Sequence, residues 1–219
     1  MTSAPARPKD ALADWLRIRP QISWPVDGSS THHSHGAPHR NAFRDFFHTT
    51  LGERDPEGTT RVLAALDLAL AAAKGDDRLS FSLMADWQQT VLGKGVAAFR
   101  TMPAFGKRGR ERYGIARDTR ARFEQCLDES TQPDLSLPSR AARTYLDILF
   151  FHPFEDGNAR AAMLALAFVL AREGVAIDQV DPLQTTRWAD DAEGAVDLAV
   201  LLGILINAAQ RRPSHGRQS

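Results

Sequence analysis

A run of nine residues, His152–Arg160, holds the sharpest break in the helical pattern of this chain and most of its recognisable chemistry. Strongly apolar segments with helical spacing lie on both sides of the run. Pro153 disfavours the α conformation at the residue before it, so the upstream helix should end at His152. Gly157-Asn158-Ala159-Arg160 then begins a second helix, whose free N–H groups and positive dipole end suit an anion. The run therefore predicts a bend between two buried helices, with an anion site beside a histidine.

Helical periodicity recurs along most of the chain, and it predicts an all-α fold. Gly157–Arg172 is apolar almost all round, so we expect its helix at the centre of the core. No internal repeat and no sustained strand alternation is visible in the sequence. The predicted helices are Asp10–Ile18, Asn41–Leu51, Thr59–Lys74, Ser80–Leu92, Asp118–Leu127, Pro138–Phe151, Gly157–Arg172 and Ala195–Ala209.

Breaks in this pattern predict how the chain is organised. The polar segment Gly52–Gly58 marks a boundary between an N-terminal tail with accessory helices (1–58) and a helical core (59–210), which a disordered tail (211–219) follows. Gly93–Arg117 loses the helical period and gathers several glycines. It is predicted to be a loop or a short hairpin, and because it is too long for a simple connector we expect it to be functional.

Composition limits the class of protein. Lys+Arg and Asp+Glu both number 27, so the formal net charge is zero and gives no argument for bulk attraction to nucleic acid or to an anionic membrane. One cysteine, Cys126, cannot form an internal disulfide, which fits a reducing compartment. No secretory signal is visible, and the apolar segments Met163–Leu170 and Ala195–Ala209 are short for a membrane span. These features predict a soluble cytoplasmic protein.

The residue types in the run suit phosphate chemistry. A neutral His152 can accept a proton from a hydroxyl. Asp156 is a hard oxygen ligand, suited to Mg²⁺ that already binds phosphate oxygens. Gly157 lets the backbone turn and come close to phosphate, and Arg160 can bind phosphate with two parallel hydrogen bonds.

Each of these residues also has a structural alternative. His152 could end the helix by hydrogen bonding to a carbonyl, Asp156 could cap the next helix, and Arg160 could form a surface salt bridge. Asn158 could either cap the helix or donate to a phosphate oxygen. Phe154 is expected to insert into the core and fix the shape of the loop under both interpretations.

The run resembles the signature of the Fic/Doc family, usually His-Pro-Phe-x-(Asp/Glu)-Gly-Asn-Gly-Arg followed, after two intervening residues, by a second Arg. Ala159 stands where Gly is usual, and Met163 stands where the second Arg is expected. The resemblance covers about residues 59–210 and implies a Fic-like helical bundle with a flap before the motif helices. Seven positions of the signature are met, by His152, Pro153, Phe154, Asp156, Gly157, Asn158 and Arg160.

The resemblance implies a transferase that moves a nucleoside monophosphate, most readily AMP from ATP, onto a hydroxyl of a protein or peptide. Mg²⁺ is the implied cofactor, with Asp156 as its ligand, and His152 is the implied general base. The implied catalytic residues are His152, Asp156, Asn158 and Arg160. The implied donor-binding residues are Gly157, Asn158, Ala159 and Arg160.

The departures from the signature leave alternatives open. Met163 removes a cation that family nucleotidyl transferases use on the distal phosphates, which fits a different donor or the reversed ATP pose by which Doc proteins transfer the γ-phosphate. The Doc branch carries Lys at the position of Ala159, so the fold does not require Gly there. A third alternative is a binding module for a nucleotide or peptide that has lost turnover.

Gly93–Arg117 lies where the family has its flap, which aligns the acceptor by main-chain pairing with an extended segment. Gly95–Arg100 resembles the family's Gly-x-Tyr-Arg stretch before the flap. We therefore expect a protein or peptide acceptor docked on about residues 95–117. The basic side chains of this segment suit an acidic loop or peptide better than a nucleic acid, although charge runs are usually only solvated. They are Lys107, Arg108, Arg110, Arg112 and Arg117.

The N-terminal segment carries two further features. Trp15 and Trp24 are expected to anchor it on the core. A histidine cluster could bind a transition metal, but a solvated loop is the favoured interpretation. Its members are His32, His33, His35 and His39.

Overall fold

The computed structural model describes residues 9–26, 41–52 and 54–211, which form a helical bundle with a small sheet. The predicted all-α class with a short hairpin before the motif helices is confirmed. The strands are β1 (Lys9–Asp10), β2 (Ala104–Gly106) and β3 (Glu111–Tyr113). The helices are α1 (Ala11–Ile18), α2 (Ala42–Leu51), α3 (Pro56–Ala72), α4 (Phe81–Leu92), α5 (Thr119–Asp128), α6 (Leu137–Phe151), α7 (Asn158–Arg172) and α8 (Ala192–Gln210).

Helix starts differ from prediction where a carboxylate caps the helix earlier than expected. The Asp55 side chain accepts from the Gly58 N–H at 2.8 Å, so α3 begins three residues before the predicted Thr59. The Asp191 side chain does the same for Gly194 at 2.8 Å, and α8 begins at Ala192. At α5 the residue before the helix is Asp118, as predicted, but its side chain makes no capping hydrogen bond.

The core is built around α6 and α7. Ten successive residues of α7, Ala161–Leu170, are buried, which confirms the central position predicted from its apolar surface. The two helices pack on each other, α8 packs on α6, and α3 packs on α7. The bend between α6 and α7 is therefore held by elements buried on most sides.

The N-terminal segment is packed into this same core. Trp15 is fully buried, its ring centroid lies 5.1 Å from that of Phe150, and its Nε1 donates to Asp147 at 2.8 Å. Arg19 donates to the same buried carboxylate from Nε at 2.7 Å. Trp24 is partly buried against the core. Both tryptophans therefore act as the predicted anchors.

Helix α8 is 19 residues long with a mean hydropathy of 1.7, enough by length and composition to cross a membrane. A buried core helix passes the same test. Here Leu198, Leu202 and Ile206 are buried, and a third of the stretch (33%) is buried in all. Val200 and Ile204 on the same helix are exposed.

The sheet contains a strand that the sequence did not predict. This strand is β1. The strand order in the sheet is β1-β3-β2, with β1 parallel and β2 antiparallel to β3. Lys9 pairs with Glu111, and Asp10 pairs with Arg112. The N-terminal segment therefore covers one edge of the hairpin, here called the flap (residues 101–116), and leaves the outer edge of β2 unpaired within the described residues.

The histidine cluster at His32, His33, His35 and His39 lies outside the described residues. The same holds for Glu53 and for the segments 1–8 and 212–219.

Candidate active site at the bend between α6 and α7

His152 forms the bend itself. Helix α6 ends at Phe151, and His152 follows in the left-handed conformation with φ 50° and ψ 57°, as the proline at 153 predicted for a helix stop. Its N–H donates to Ile148 O at 3.1 Å. Its Nδ1 lies 3.2 Å from Leu149 O. Because a carbonyl can only accept, this bond puts the ring proton on Nδ1 and leaves Nε2 with its lone pair.

The environment of His152 favours the neutral ring. Burial lowers its pKa below the ordinary 6.5, and the Arg100 guanidinium lowers it further, against an opposing effect of the Leu149 carbonyl. The negative end of the α6 dipole, taken alone, would favour the protonated ring. Desolvation outweighs that effect here because the ring is packed under the flap. The ring is therefore a base at neutral pH.

Tyr113 of β3 covers one face of the histidine. The ring centroids lie 4.1 Å apart and the planes differ by 5°, which is a parallel stack. Tyr113 is buried, and its hydroxyl donates to Glu111 Oε2 at 2.8 Å. The flap thus contributes an aromatic wall to the site, which nothing in the sequence pattern indicated.

Arg100 ties the bend to the flap through the backbone. Its Nε donates to His152 O at 2.7 Å, one of its terminal nitrogens donates to Phe151 O at 3.0 Å and to Gly114 O, and the other donates to Met102 O at 2.8 Å. The side chain is 3% exposed. Burial lowers its pKa to about 10, so the guanidinium is still charged at neutral pH. The Arg100 guanidinium therefore provides hydrogen-bond donors both to the carbonyls at the end of α6 and to those of the flap.

The loop after His152 is fixed by Phe154 and Asn158. Phe154 is 1% exposed and stacks on Phe81 with centroids 5.2 Å apart, as predicted for a core anchor. The Asn158 side chain accepts from the Phe154 N–H and donates to the Phe154 carbonyl, both at 2.9 Å. Both polar atoms of this buried amide are thus used inside the loop. Asn158 can therefore meet a phosphate only through its backbone N–H.

Gly157 is required by two features of its position. Its φ is +77°, and a Cβ at this position would overlap Nε2 of Gln88. Gln88 of α4 is fully buried and donates to Asp156 O at 2.6 Å. The loop is therefore pressed against α4 at the point where α7 begins. Gln88 was not identified from the sequence, because a lone glutamine in an apolar helix carries no motif.

The first turn of α7 offers backbone donors. Ala161 N–H donates to Gly157 O at 2.9 Å, so the preceding N–H groups, of residues 158–160, have no acceptor within the helix. Ala159 is exposed, which leaves this turn open to solvent. These groups and the positive end of the helix dipole suit a phosphate. Ala159 has no positive φ, so the β-carbon is accommodated without strain.

Asp156 and Arg160 flank this turn and face each other. Arg160 lies 3.6 Å from Asp156 Oδ2, and the side chains are 26% and 75% exposed. Such a solvated pair contributes little to stability, so both groups can turn to a ligand at small cost. Asp156 Oδ1 also accepts from the Gly157 N–H at 2.6 Å. It does not act as the N-cap of α7, because Gly157 occupies that position without a side-chain cap.

The carboxylate at the start of α7 is the group on which binding of Mg²⁺ would depend. Within the described ranges no three His, Cys, Asp or Glu side chains come together as a metal site. Mg²⁺ usually keeps several waters and takes one or two carboxylates together with substrate phosphates. One exposed carboxylate, that of Asp156, beside the solvent-exposed first turn of α7 fits this pattern. Asp156 could therefore hold Mg²⁺ that arrives with a phosphate.

Met163 lies inside the core rather than at the site. It is 2% exposed among the buried residues of α7. A neutral thioether therefore takes the place at which the family signature has a second arginine. Among the residues named for the site, Arg160 is the cation beside the open turn.

The flap is attached at its base and at its tip. Asp10 accepts from the Gly114 N–H at 3.0 Å and pairs with Arg112, so α1 is joined to β3. At the tip, Lys107 donates to Arg187 O and lies over the Trp188 ring, and within the flap it pairs with Glu111 at 2.6 Å. Of the predicted basic residues, Arg108, Arg110 and Arg117 are exposed.

Comparison with known proteins agrees with this architecture. The crystal structure of a Fic domain containing signaling protein from Bacteroides thetaiotaomicron is similar with a TM-score of 0.52 and 22% identity, over 75% of this chain and 76% of that one. The crystal structure of IbpAFic2 is similar with a TM-score of 0.56 and 14% identity, over 95% of this chain and 71% of that one. At these identities the likeness shows a shared fold.

Two further comparisons concern the sequence. No curated protein matches the chain. The model of the Fic/DOC family matches residues 78–170, which include α4, the flap, the bend and most of α7. These residues of the chain therefore form a domain of the Fic/DOC family.

Proposed function

We propose that this protein transfers a nucleoside monophosphate, most readily AMP from ATP, onto a hydroxyl of a protein or peptide. The observation that carries the proposal is the free Nε2 of a neutral His152, in the same bend as the open first turn of α7. A base and an anion site are the two parts that an in-line transfer to a hydroxyl requires. The Fic/DOC family of residues 78–170 supports a transferase.

The donor would bind at the start of α7. The N–H groups of residues 158–160 would donate to phosphate oxygens, and Arg160 would add a charged, two-pronged contact. The fixed loop at Gly157 supports this arrangement, because it lets the backbone approach the phosphate closely. The contribution of Asn158 is through its backbone, since its side chain is bonded to Phe154.

His152 would act on the acceptor. Its Nε2 takes the proton of the acceptor hydroxyl as the oxygen attacks the α-phosphorus. A new P–O bond forms, the bond from the α-phosphorus to the bridging oxygen breaks, and pyrophosphate leaves. The proton on Nε2 then passes to solvent or to the leaving group, and the ring is neutral again.

Asp156 would hold Mg²⁺ together with the phosphate oxygens and water. When bound, the ion neutralises the charge that develops on the phosphate oxygens. Arg160 lies beside it, and it is released from its weak pair with Asp156 as the donor binds.

The acceptor would dock on about residues 95–117, the flap and the residues just before it. The outer edge of β2 supports this placement, because β1 already covers β3 on the other side. The exposed Arg108 and Arg110 suit an acidic segment. We expect the protein to act in the cytoplasm, where Cys126 stays reduced.

The test uses ATP labelled at the α-phosphate, with a cell lysate as the source of acceptor. We expect His152→Ala to lose label transfer while nucleotide binding, measured by calorimetry, stays within a few-fold of the original. His48→Ala, an exposed histidine of α2, is the matched control and should keep transfer. Undiminished transfer in the His152 variant would reject the mechanism.

A second candidate is transfer of the γ-phosphate, as in Doc proteins. The buried Met163 favours it, because the cation that holds distal phosphates in the usual pose is missing. Parallel incubations with ATP labelled at the α or the γ position separate the two reactions. Label from the α position supports nucleotide transfer, and label from the γ position alone supports phosphotransfer. Tight nucleotide binding with neither label transferred indicates a binding module.

A further inference from the structure

Three side chains of the flap form a chain of contacts that ends on His152. Lys107 Nζ donates to Glu111 Oε1 at 2.6 Å, and Glu111 Oε2 accepts from the Tyr113 hydroxyl at 2.8 Å. The Tyr113 ring stacks on the His152 ring at 4.1 Å. Lys107 also lies 3.7 Å above the centre of the Trp188 ring and donates to Arg187 O.

Because these side chains are largely buried, each one requires its neighbour as a hydrogen-bond partner. Glu111 is 5% exposed, and a carboxylate at that depth requires charged or hydrogen-bonding partners. Lys107 and Tyr113 supply one partner to each of its oxygens. Burial and the Glu111 hydrogen bond raise the pKa of the Tyr113 hydroxyl, so it remains a donor throughout the neutral range. The direction of the hydrogen bond, donated by Tyr113 and accepted by Glu111, is thus fixed.

The backbone at the flap tip is strained in order to present Lys107. Lys107 and Arg108 have φ values of 49° and 59°, and Gly109 follows at 81°. Non-glycine residues in this conformation are strained, and they persist where surrounding contacts over-determine them. The contacts of Lys107 with Glu111, Trp188 and Arg187 O do this.

The imidazole needs support that its own loop does not give. One hydrogen bond, from Nδ1 to Leu149 O at 3.2 Å, holds one atom of the ring but allows the plane to tilt about it. The Tyr113 plane, within 5° of parallel, removes that freedom. Gly106 packs against Tyr113, since a Cβ there would come within 2.9 Å of Cε2 and of the hydroxyl oxygen. The tyrosine ring is therefore confined between the histidine and the flap backbone.

We propose that Lys107, Glu111 and Tyr113 form a positioning relay that sets the direction of His152 Nε2. The proposal rests on the proposed function, because it assumes that this nitrogen is the base. Tyr113 touches neither the donor nor the transferred group; it acts through the histidine and is a positioning residue. The relay also extends from the base to the surface at Trp188, which is 46% exposed.

The activity test compares three relay variants with a matched control. Tyr113→Leu should lower kcat about 10-fold to 100-fold, because a small misplacement of a reacting group is enough for such a loss. Its KM for ATP should stay within about two-fold, since the donor site is on α7. Tyr113→Phe keeps the ring and Glu111→Gln keeps the size, so both should fall between the original and Tyr113→Leu. Tyr145→Leu removes another buried tyrosine, on α6, and should keep kcat.

A spectroscopic arm separates failure of the relay from failure of the proposed function. Nuclear magnetic resonance of the histidine rings should show an upfield ring-current shift for His152, assigned with His152→Ala, that Tyr113→Leu abolishes and Tyr113→Phe retains. A loss of kcat together with this shift supports the relay. An unchanged shift and kcat in Tyr113→Leu overturn it. If the original protein transfers no label at all, the proposed function fails. The chemical shift and linewidth of the His152 ring resonances in Tyr113→Phe and Glu111→Gln still decide whether the relay orders the ring.

Discussion

At the scale of single residues, the backbone at His152 explains why so short a run can carry a site. The left-handed conformation turns the chain at the end of α6 and directs Nδ1 back to Leu149, which leaves Nε2 free. Histidine tolerates this conformation better than branched residues do. The bend and the protonation state of the ring therefore come from the same local geometry.

The pH dependence of transfer follows from that environment. Because the pKa of His152 is lowered, the rate should rise with pH through a midpoint below 6.5 and then level off. The folded ring binds its proton less readily than the unfolded one, so the folded state also loses stability as pH falls through this range. The measurement is kcat/KM against pH. A midpoint at or above 6.5 would contradict the argument.

Gly157 and Gly174 form a matched pair for a stability test. Both have positive φ, +77° and +67°, but a Cβ at Gly157 meets Gln88, whereas at Gly174 nothing lies within 4 Å. Gly174→Ala should lower the free energy of unfolding by about 1 kcal/mol through backbone strain alone. Gly157→Ala should lower it further and weaken nucleotide binding. Urea denaturation measures the first effect and calorimetry the second; equal losses in the two variants would show that the Gln88 contact is unimportant.

At the scale of elements, the site depends on hydrogen bonds between helices and strands that are far apart in sequence. Arg100, just before the flap, binds the carbonyls that end α6, and Asp10 joins α1 to β3. Both contacts use backbone groups of the partner element. Arginine and aspartate side chains that bind backbone groups therefore help to set the position of the flap.

The joint at Arg100 can be tested by removing its donors. Arg100→Met leaves several buried carbonyls without partners, so we expect a loss of about 2–4 kcal/mol in the free energy of unfolding. Arg122→Met, at an exposed arginine of α5, should change it by less than about 0.5 kcal/mol. Hydrogen exchange should also be faster in the flap of the Arg100 variant. A flap as protected as in the original protein would argue against the joint.

At the scale of the whole molecule, one buried carboxylate joins the N-terminal segment to the helix that carries His152. Asp147 has a fully buried side chain and accepts from Trp15 and from two nitrogens of Arg19. Glu129 continues the network through Arg19 at 2.7 Å. Residues on either side of the predicted boundary near 58 thus share one core.

Loss of the Asp147 carboxylate should lower the stability of the whole protein. Asp147→Asn leaves the partly buried Arg19 guanidinium without the more deeply buried of its two carboxylate partners, so we expect a loss of about 3 kcal/mol in stability. Asp67→Asn breaks an exposed pair with Arg44 between α2 and α3 and should change stability by less than about 1 kcal/mol. Urea unfolding followed by tryptophan fluorescence measures both. Similar losses of stability in the two variants would contradict the argument that the buried carboxylate of Asp147 matters more than the exposed one of Asp67.

The sequence predicted the helices and the bend well, because apolar spacing, Pro153 and Gly157 act locally. It missed β1, since two residues carry no alternation and pair only after α1 has docked. Gln88 and Tyr113 were missed for a similar reason: their contacts join residues dozens of positions apart. Asp156 shows the limit at one residue: the sequence left a helix cap open as an alternative role, but the side chain binds the adjacent Gly157 N–H and does not cap α7.

The buried charge of Arg100 has a consequence for the last step of the proposed reaction. A guanidinium bonded to carbonyls, with no carboxylate among its hydrogen-bond partners, keeps a permanent positive potential behind the imidazole. That potential disfavours the imidazolium that forms when an acceptor hydroxyl gives up its proton. In the proposed reaction, His152 would therefore lose this proton readily once the product leaves, which would return the ring to the form that accepts a proton from the next acceptor.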